Sequence, residues 1–245
     1  MADRLFCMQK YDLKGIFIFF LVATLSYGLL GTEEKHTIYT DEQTEAFFKK
    51  FDFVQKETKT IQATFVEKKE LKLLEEPVVS KGRFYFTSPS QALWEYQNPE
   101  EKTFLLTKND LISYYPKEKK AEKVNIKRFS GQVFKFFAVG QISKDLKDYY
   151  NIEVSNNNNS KKIIMTLRPK KRRAKKRVDV VRIWIDKTTL QPYQIQYVEM
   201  DGDKTTLTFD NLKINEEISA EIYKLNIPPD VEIKEGFSEF SDKGK

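Results

Sequence analysis

Histidine and cysteine are almost missing from this 245-residue chain, which has one of each, His36 and Cys7. With that inventory no Cys/His zinc site, internal disulfide or serine–histidine triad can be assembled. A glycine-rich phosphate loop is also absent. "MDGD" at 200–203 lacks the further ligands of a calcium loop and reads as an Asp-Gly hairpin turn. Carboxylate pairs such as Glu75/Glu76 and Glu216/Glu217 read as solvated faces rather than acid–base couples. No catalytic residue, metal or cofactor is therefore expected, and an enzyme reading would require polar residues converging in a pocket.

Long apolar runs are equally scarce, with one exception at the start. "MADRLFCMQKYDLKGIFIFFLVATLSYGLLGTEEK" places charges before an apolar run from Ile16 and small residues at Ser26 and Gly28. That order is the pattern of a secretory signal, with cleavage expected after Gly28. The other reading is a retained membrane anchor, but the apolar stretch is short and diluted by Thr24, Ser26 and Gly28. Bacterial lipidation would need a cysteine just after the apolar run, and Cys7 precedes it. Residues 1–28 are expected to be removed, leaving 29–245 as one exported, periplasmic domain.

The formal net charge is +6. One run accounts for that sign: "RPKKRRAKKR", Arg168 to Arg177, holds eight basic residues, and without them the balance turns negative. Lys170, Lys171, Arg172, Arg173, Lys175, Lys176 and Arg177 fit three readings. They can be a solvated hairpin tip, a patch for anionic headgroups or an acidic partner, or a nucleic-acid patch, which an export signal disfavours.

Asp41–Thr60 carries Ala46, Phe47, Phe51 and Val54 at the spacing of an amphipathic helix. From Ile61 the period changes to two, and Pro77 with Ser80 ends that arm. Short β-rich runs follow at turn-punctuated intervals: 82–87, 93–97, 103–107, 111–115, 152–154, 162–168, 178–186, 191–200, 205–209 and 223–227. "FSGQVFKFFAVGQISKDLKDYY" breaks this pattern and reads as an inserted helical hairpin or lid, and "SNNNNS" at 155–160 as a turn. The expected fold is mainly β: an incomplete, half-open antiparallel barrel of about eleven strands with an N-terminal helix and a helical lid.

Aromatics concentrate in "KGRFYFTSPSQALWEYQNPEEKTFLLTKNDLISYY". Because successive strand residues face opposite ways, Phe84 and Phe86 share one face, and Trp94 and Tyr96 share one face of the next strand. The plain account is a filled core; a cavity between a curved sheet and helices accounts equally for an additional apolar helix with several phenylalanines.

"ATFVEKK", "KGRFYFTSPSQALWEY", "NPEEKTFLLTKNDLISYYPKEKKAEKV", "IWIDKTTLQPYQIQYVEMDGDKTTLTFDNLKIN" and "LNIPPDVEI" together resemble the pattern of LolA-type periplasmic lipoprotein carriers. The resemblance covers about residues 41–235 and contains no catalytic signature. It implies a half-open barrel whose apolar cavity shields lipoprotein acyl chains, or another lipid, between the inner and outer membranes. It also implies an inner-membrane release complex and an outer-membrane acceptor as partners of a monomeric carrier. Carried over by position, Phe84, Phe86, Leu93, Trp94, Tyr96 and Leu111 lie on pocket strands, and Val133, Phe134 and Phe137 on the covering helix. The family commonly has an arginine before the proline after the third strand, where this chain has Ser88. One hydroxyl replaces five donors there, so the interaction that closes the lid is expected to be weaker or made elsewhere. A different class of function on the same barrel, an envelope-stress sensor or protein-interaction domain, would be favoured by a transmembrane segment and a second domain.

Overall fold

The computed structural model describes residues 36–89, 91–127, 143–157 and 161–236. Thirteen strands form one sheet in the order β1-β8-β9-β10-β11-β12-β2-β3-β4-β5-β6-β7-β13. They are β1 His36–Ile38, β2 Thr60–Glu70, β3 Val78–Thr87, β4 Gln91–Asn98, β5 Lys102–Leu106, β6 Asp110–Tyr115, β7 Lys120–Asn125, β8 Tyr150–Asn157, β9 Lys162–Pro169, β10 Val178–Asp186, β11 Pro192–Glu199, β12 Lys204–Ile214 and β13 Ile233–Glu235. Every pairing is antiparallel except the last, β13 on β7. β1 and β13 do not pair with each other, so the sheet stays open, and the expectation of a mainly β, unclosed barrel holds.

Among the described residues three strands fall outside the expected runs, β1, β7 and β13, and one expected run forms no strand, so eleven becomes thirteen. β1 and β13 are three-residue, fully exposed strands with no apolar alternation, and only backbone pairing makes them strands. The expected strand at 223–227 is instead a 3-10 helix, Ala220–Tyr223, followed by irregular chain. Its apolar residues lie against the sheet without joining a ladder. Ser155, Asn156 and Asn157 of the expected asparagine turn extend β8, pairing with β1 and β9; 158–160 lie outside the described residues.

The helix α1, Asp41–Glu57, starts at a capping box: Gln43 N–H donates to Thr40 Oγ1 and Thr40 N–H to Gln43 Oε1. Phe47, Phe48, Phe51 and Gln55 form its buried face. Asn215, just past β12, anchors the other end, accepting from Lys59 N–H (2.6 Å) and donating to the Glu57 carbonyl (3.0 Å). A second helix, α2, Ser143–Tyr149, realises the end of the expected lid segment and buries Leu146. Both the backbone N–H and the hydroxyl of Ser143 donate to the Asp52 carboxylate of α1 (2.6 and 2.7 Å). A third, one-turn helix, α3, Arg172–Lys175, caps the β9–β10 hairpin.

Candidate functional site: an aromatic concave face under a helix

Alternation along β2, β3 and β4 sends Ile61, Ala63 and Phe65, then Phe84 and Phe86, then Ala92, Trp94 and Tyr96 into one core with the α1 phenylalanines. The rings form two groups. Phe84 lies 4.8 Å from Trp94 and 5.3 Å from Phe209, Phe65 4.9 Å from Tyr96, and Tyr96 5.8 Å from Phe104. On the helix side Phe47 stacks on Phe51 at 5.5 Å. Among the described residues, the gap between Gln55 of α1 and Ile61, Phe84, Ile195, Phe209 and Leu212 is about 20 Å³, room for about one water.

The structure brings together Phe84, Phe86, Trp94, Tyr96 and, half-buried at the edge, Leu111. It separates Leu93, which packs on the opposite face with Leu105 and Tyr223 in a second small core. Adjacent residues of a strand cannot line the same cavity, and Leu93 pairs with Tyr85 and Leu105, which point the same way. The aromatic stretch carries large side chains on both faces because the sheet is covered on both faces there. Val133, Phe134 and Phe137 lie outside the described residues, as does the segment 1–28.

One polar cluster interrupts the apolar face, and of its members only Tyr96 was expected at the site. The Tyr96 hydroxyl donates to Glu67 Oε1 (3.1 Å), Glu67 Oε2 faces Lys69 Nζ at 3.4 Å, and Lys102 Nζ stands 4.5 Å from the centre of the Tyr96 ring. Burial, reinforced by the neighbouring Glu67 carboxylate, pushes the Tyr96 phenol far above its ordinary range. The signal was available: β2 alternation puts Glu67 on the face of Ile61, Ala63 and Phe65, an acidic residue at an inward position.

The seven basic residues Lys170–Arg177 are all exposed on the β9–β10 tip, with α3 at its centre. Lys171 Nζ lies 4.8 Å from the Tyr149 ring centre, and Lys170 Nζ donates to the Lys147 carbonyl (2.6 Å). Ser88 is exposed in the β3–β4 turn, its N–H donating to the Lys59 carbonyl (2.8 Å), beside a shallow depression of about 250 Å³ shared with Lys108 and Asn109. Among the described residues no cluster of three or more His, Cys, Asp or Glu could hold a metal ion, and no helix is long and apolar enough to cross a membrane.

Residues 56–226 match the family model described as outer membrane lipoprotein carrier protein LolA. The chain belongs to the LolA family. It is 28% identical over 161 residues to the outer-membrane lipoprotein carrier protein of Helicobacter hepaticus, covering 65% of this chain and 74% of that relative. Of solved structures, an uncharacterized conserved protein from Thermus thermophilus is similar in fold: TM-score 0.51, 12% identity, 79% of this chain and 100% of the other covered. MucB in its complex with MucA from Pseudomonas aeruginosa is more remote: TM-score 0.42, 9% identity, 73% and 59% covered. The LolA-family region begins at the C-terminal end of α1 and takes in β2 through β12, so the concave aromatic face lies inside it.

Proposed function

We propose that this LolA-family protein is a periplasmic, non-enzymatic carrier that takes lipoprotein acyl chains between α1 and the concave aromatic face and moves them from the inner to the outer membrane. The observation that carries this reading is the gathering of two aromatic groups, Phe84 with Trp94 and Phe209, and Phe65 with Tyr96 and Phe104, in one core on a sheet that does not close. Each exposed methylene of a lipid chain costs about 0.8 kcal/mol in water, so transfer requires an apolar container. Among the described residues the gap beside Gln55 of α1 is about 20 Å³, far below the ~300–1,000 Å³ of ordinary ligand sites, so a chain entering there displaces side chains of that lining and replaces them with equally apolar atoms.

The two tryptophans offer a test by aromatic-for-aromatic substitution. Trp94 lies in the concave core; Trp184, on β10 between inward Ile183 and Ile185, lies on the outer face. Brominated fatty acid should quench the emission of a Trp184→Phe variant saturably and leave a Trp94→Phe variant nearly unchanged. Equal quenching of both, or none of Trp94, removes the acyl-chain reading. Export has its own check: the protein purified from its native host should begin at about residue 29, and an N-terminus before Ile16 would contradict a cleaved signal.

A further inference from the structure

Antiparallel order puts three hairpin tips at one end of the sheet: 71–77 between β2 and β3, 170–177 between β9 and β10, and 200–203 between β11 and β12. Hydrogen bonds tie them into one rim. Lys72 N–H donates to Asp203 Oδ1 (2.8 Å), and Met200 N–H to the Arg177 carbonyl (3.0 Å). Gly202, at φ +94°, leaves the space in which the Lys72 stem lies across the neighbouring turn; an added Cβ there would come 2.5 Å from Lys72 Cε.

Of the eight large apolar side chains that the described residues expose, three belong to this rim and two more lie on the strand behind it. Leu73 is 97% exposed, Met200 56% and Leu74 48%, with Val78 and Val79 just behind at 39% and 43%. A hydrogen bond from Leu74 N–H to the Leu71 carbonyl (2.9 Å) closes the turn that holds Leu73 outward. Beside them stand the seven exposed cations of the 170–177 tip, and among the described residues no carboxylate lies within ion-pair distance of any of them. Glu75, Glu76, Asp201 and Asp203 also lie on the rim, so eight basic residues, counting Lys72, face four acidic ones. Asp203 is held by Lys72 N–H, and Asp201 accepts from Asp203 N–H (3.1 Å).

We propose that this rim docks on a membrane surface rich in anionic lipid, with Leu73, Leu74 and Met200 entering the acyl boundary while Lys170–Arg177 neutralise headgroups. Projecting leucines flanked by uncompensated cations match a bilayer interface, apolar below and anionic at its surface. The polar cluster of Glu67, Tyr96 and Lys102 lies toward the same end of the concave face, β2 and β4 running from it into the 71–77 and 99–101 turns. A chain leaving the interior there emerges at the docked bilayer. The inference deepens the carrier reading, but docking itself uses none of the aromatic interior.

The experiment is co-sedimentation of the purified protein with vesicles of phosphatidylcholine, and of phosphatidylcholine mixed with an equal part of phosphatidylglycerol. The wild type should bind the anionic vesicles preferentially. A variant with Lys171, Arg172, Arg173, Lys175 and Lys176 all changed to Gln should lose that preference and its salt dependence, each cation being worth about fivefold at low salt. Leu73→Ser with Leu74→Ser should keep the salt dependence yet bind about tenfold or more weakly, for lack of inserted apolar area. Wild-type protein that ignores both vesicles overturns the proposal. So does binding unaffected by the leucine changes and competed away by a soluble polyanion, which would assign the patch to an acidic macromolecule. Bromo-fatty-acid quenching of Trp94 and vesicle docking, both measured in the Trp184→Phe variant with the rim unaltered, separate the two readings. Quenching without docking leaves the carrier and removes the rim; docking without quenching does the reverse.

Discussion

Phe65 crosses the β2–β3 ladder to lie over Gly82, its register partner, and the missing Cβ is what lets the ring reach Tyr96. An alanine Cβ at 82 would meet the Phe65 ring at 2.7 Å and press on the Glu95 carbonyl behind it. Backbone on one side and a fully buried ring on the other leave little room to relax. Gly82→Ala should therefore cost toward the upper end of the ~1–3 kcal/mol typical of overpacking. Urea unfolding should show the midpoint fall with little change in slope. An unchanged midpoint would mean that Phe65 has space the structure does not show. This dependence was not legible from "KGRFYF", where Gly82 reads only as a strand start; it follows from what stands across the ladder.

At the scale of elements, the 3-10 helix Ala220–Tyr223 replaces an expected strand, and its placement explains why both faces of the aromatic sheet are apolar. Tyr223 covers Leu93 and Leu105 and shares a 2.8 Å hydrogen bond with the Thr87 hydroxyl. Tyr223→Ala should cost about 3–5 kcal/mol by uncovering that core, whereas Tyr223→Phe should cost about 1 kcal/mol for the hydrogen bond alone. Thermal melts of the two variants distinguish cover from hydrogen bond, and equal losses would contradict the packing role. Leu93→Ala should likewise lower stability by about 2–5 kcal/mol while leaving Trp94 quenching by bromo-fatty acid intact, because Leu93 faces away from the concave side. A parallel loss of quenching would put Leu93 back with the interior. At the other end of the domain, Thr40→Ala should cost about 1 kcal/mol by removing half of the α1 capping box.

For the molecule as a whole, burial raises the phenol pKa values of Tyr39, Tyr96, Tyr150, Tyr197 and Tyr223 above their ordinary value of 10.0. A folded-state pKa above the unfolded one means that the neutral phenol is favoured by folding. The stabilisation is thus complete below pH 10 and is lost as the pH rises toward the folded-state values. Alkaline titration should show tyrosinate absorbance appearing cooperatively with loss of the folded signal above pH 10. Independent ionisation of these tyrosines near 10 with the fold intact would refute their burial. The openness of the sheet belongs to this scale too. Thirteen strands span ~58 Å along the arc, whereas α1, 17 residues long, reaches about 25 Å, so one helix covers only part of the concave face and curvature must supply the rest.

The amino-acid order by itself determined the mainly β character, most strand positions, α1, and the pairing of Phe84 with Phe86 and of Trp94 with Tyr96 on shared faces. These follow from period, a local property of the chain. Only tertiary structure decided which face was concave, because alternation defines two faces without naming the inner one; the choice fell to Phe84, Trp94 and Tyr96 when α1 and Phe209 packed against them and Tyr223 against Leu93. It also made strands of His36–Ile38 and Ile233–Glu235, which carry no pattern and exist through backbone pairing alone. Strand order alone gathered Leu73, Lys170–Arg177 and Met200, from three separate hairpins, onto one rim, since alternate turns of an antiparallel sheet return to the same end.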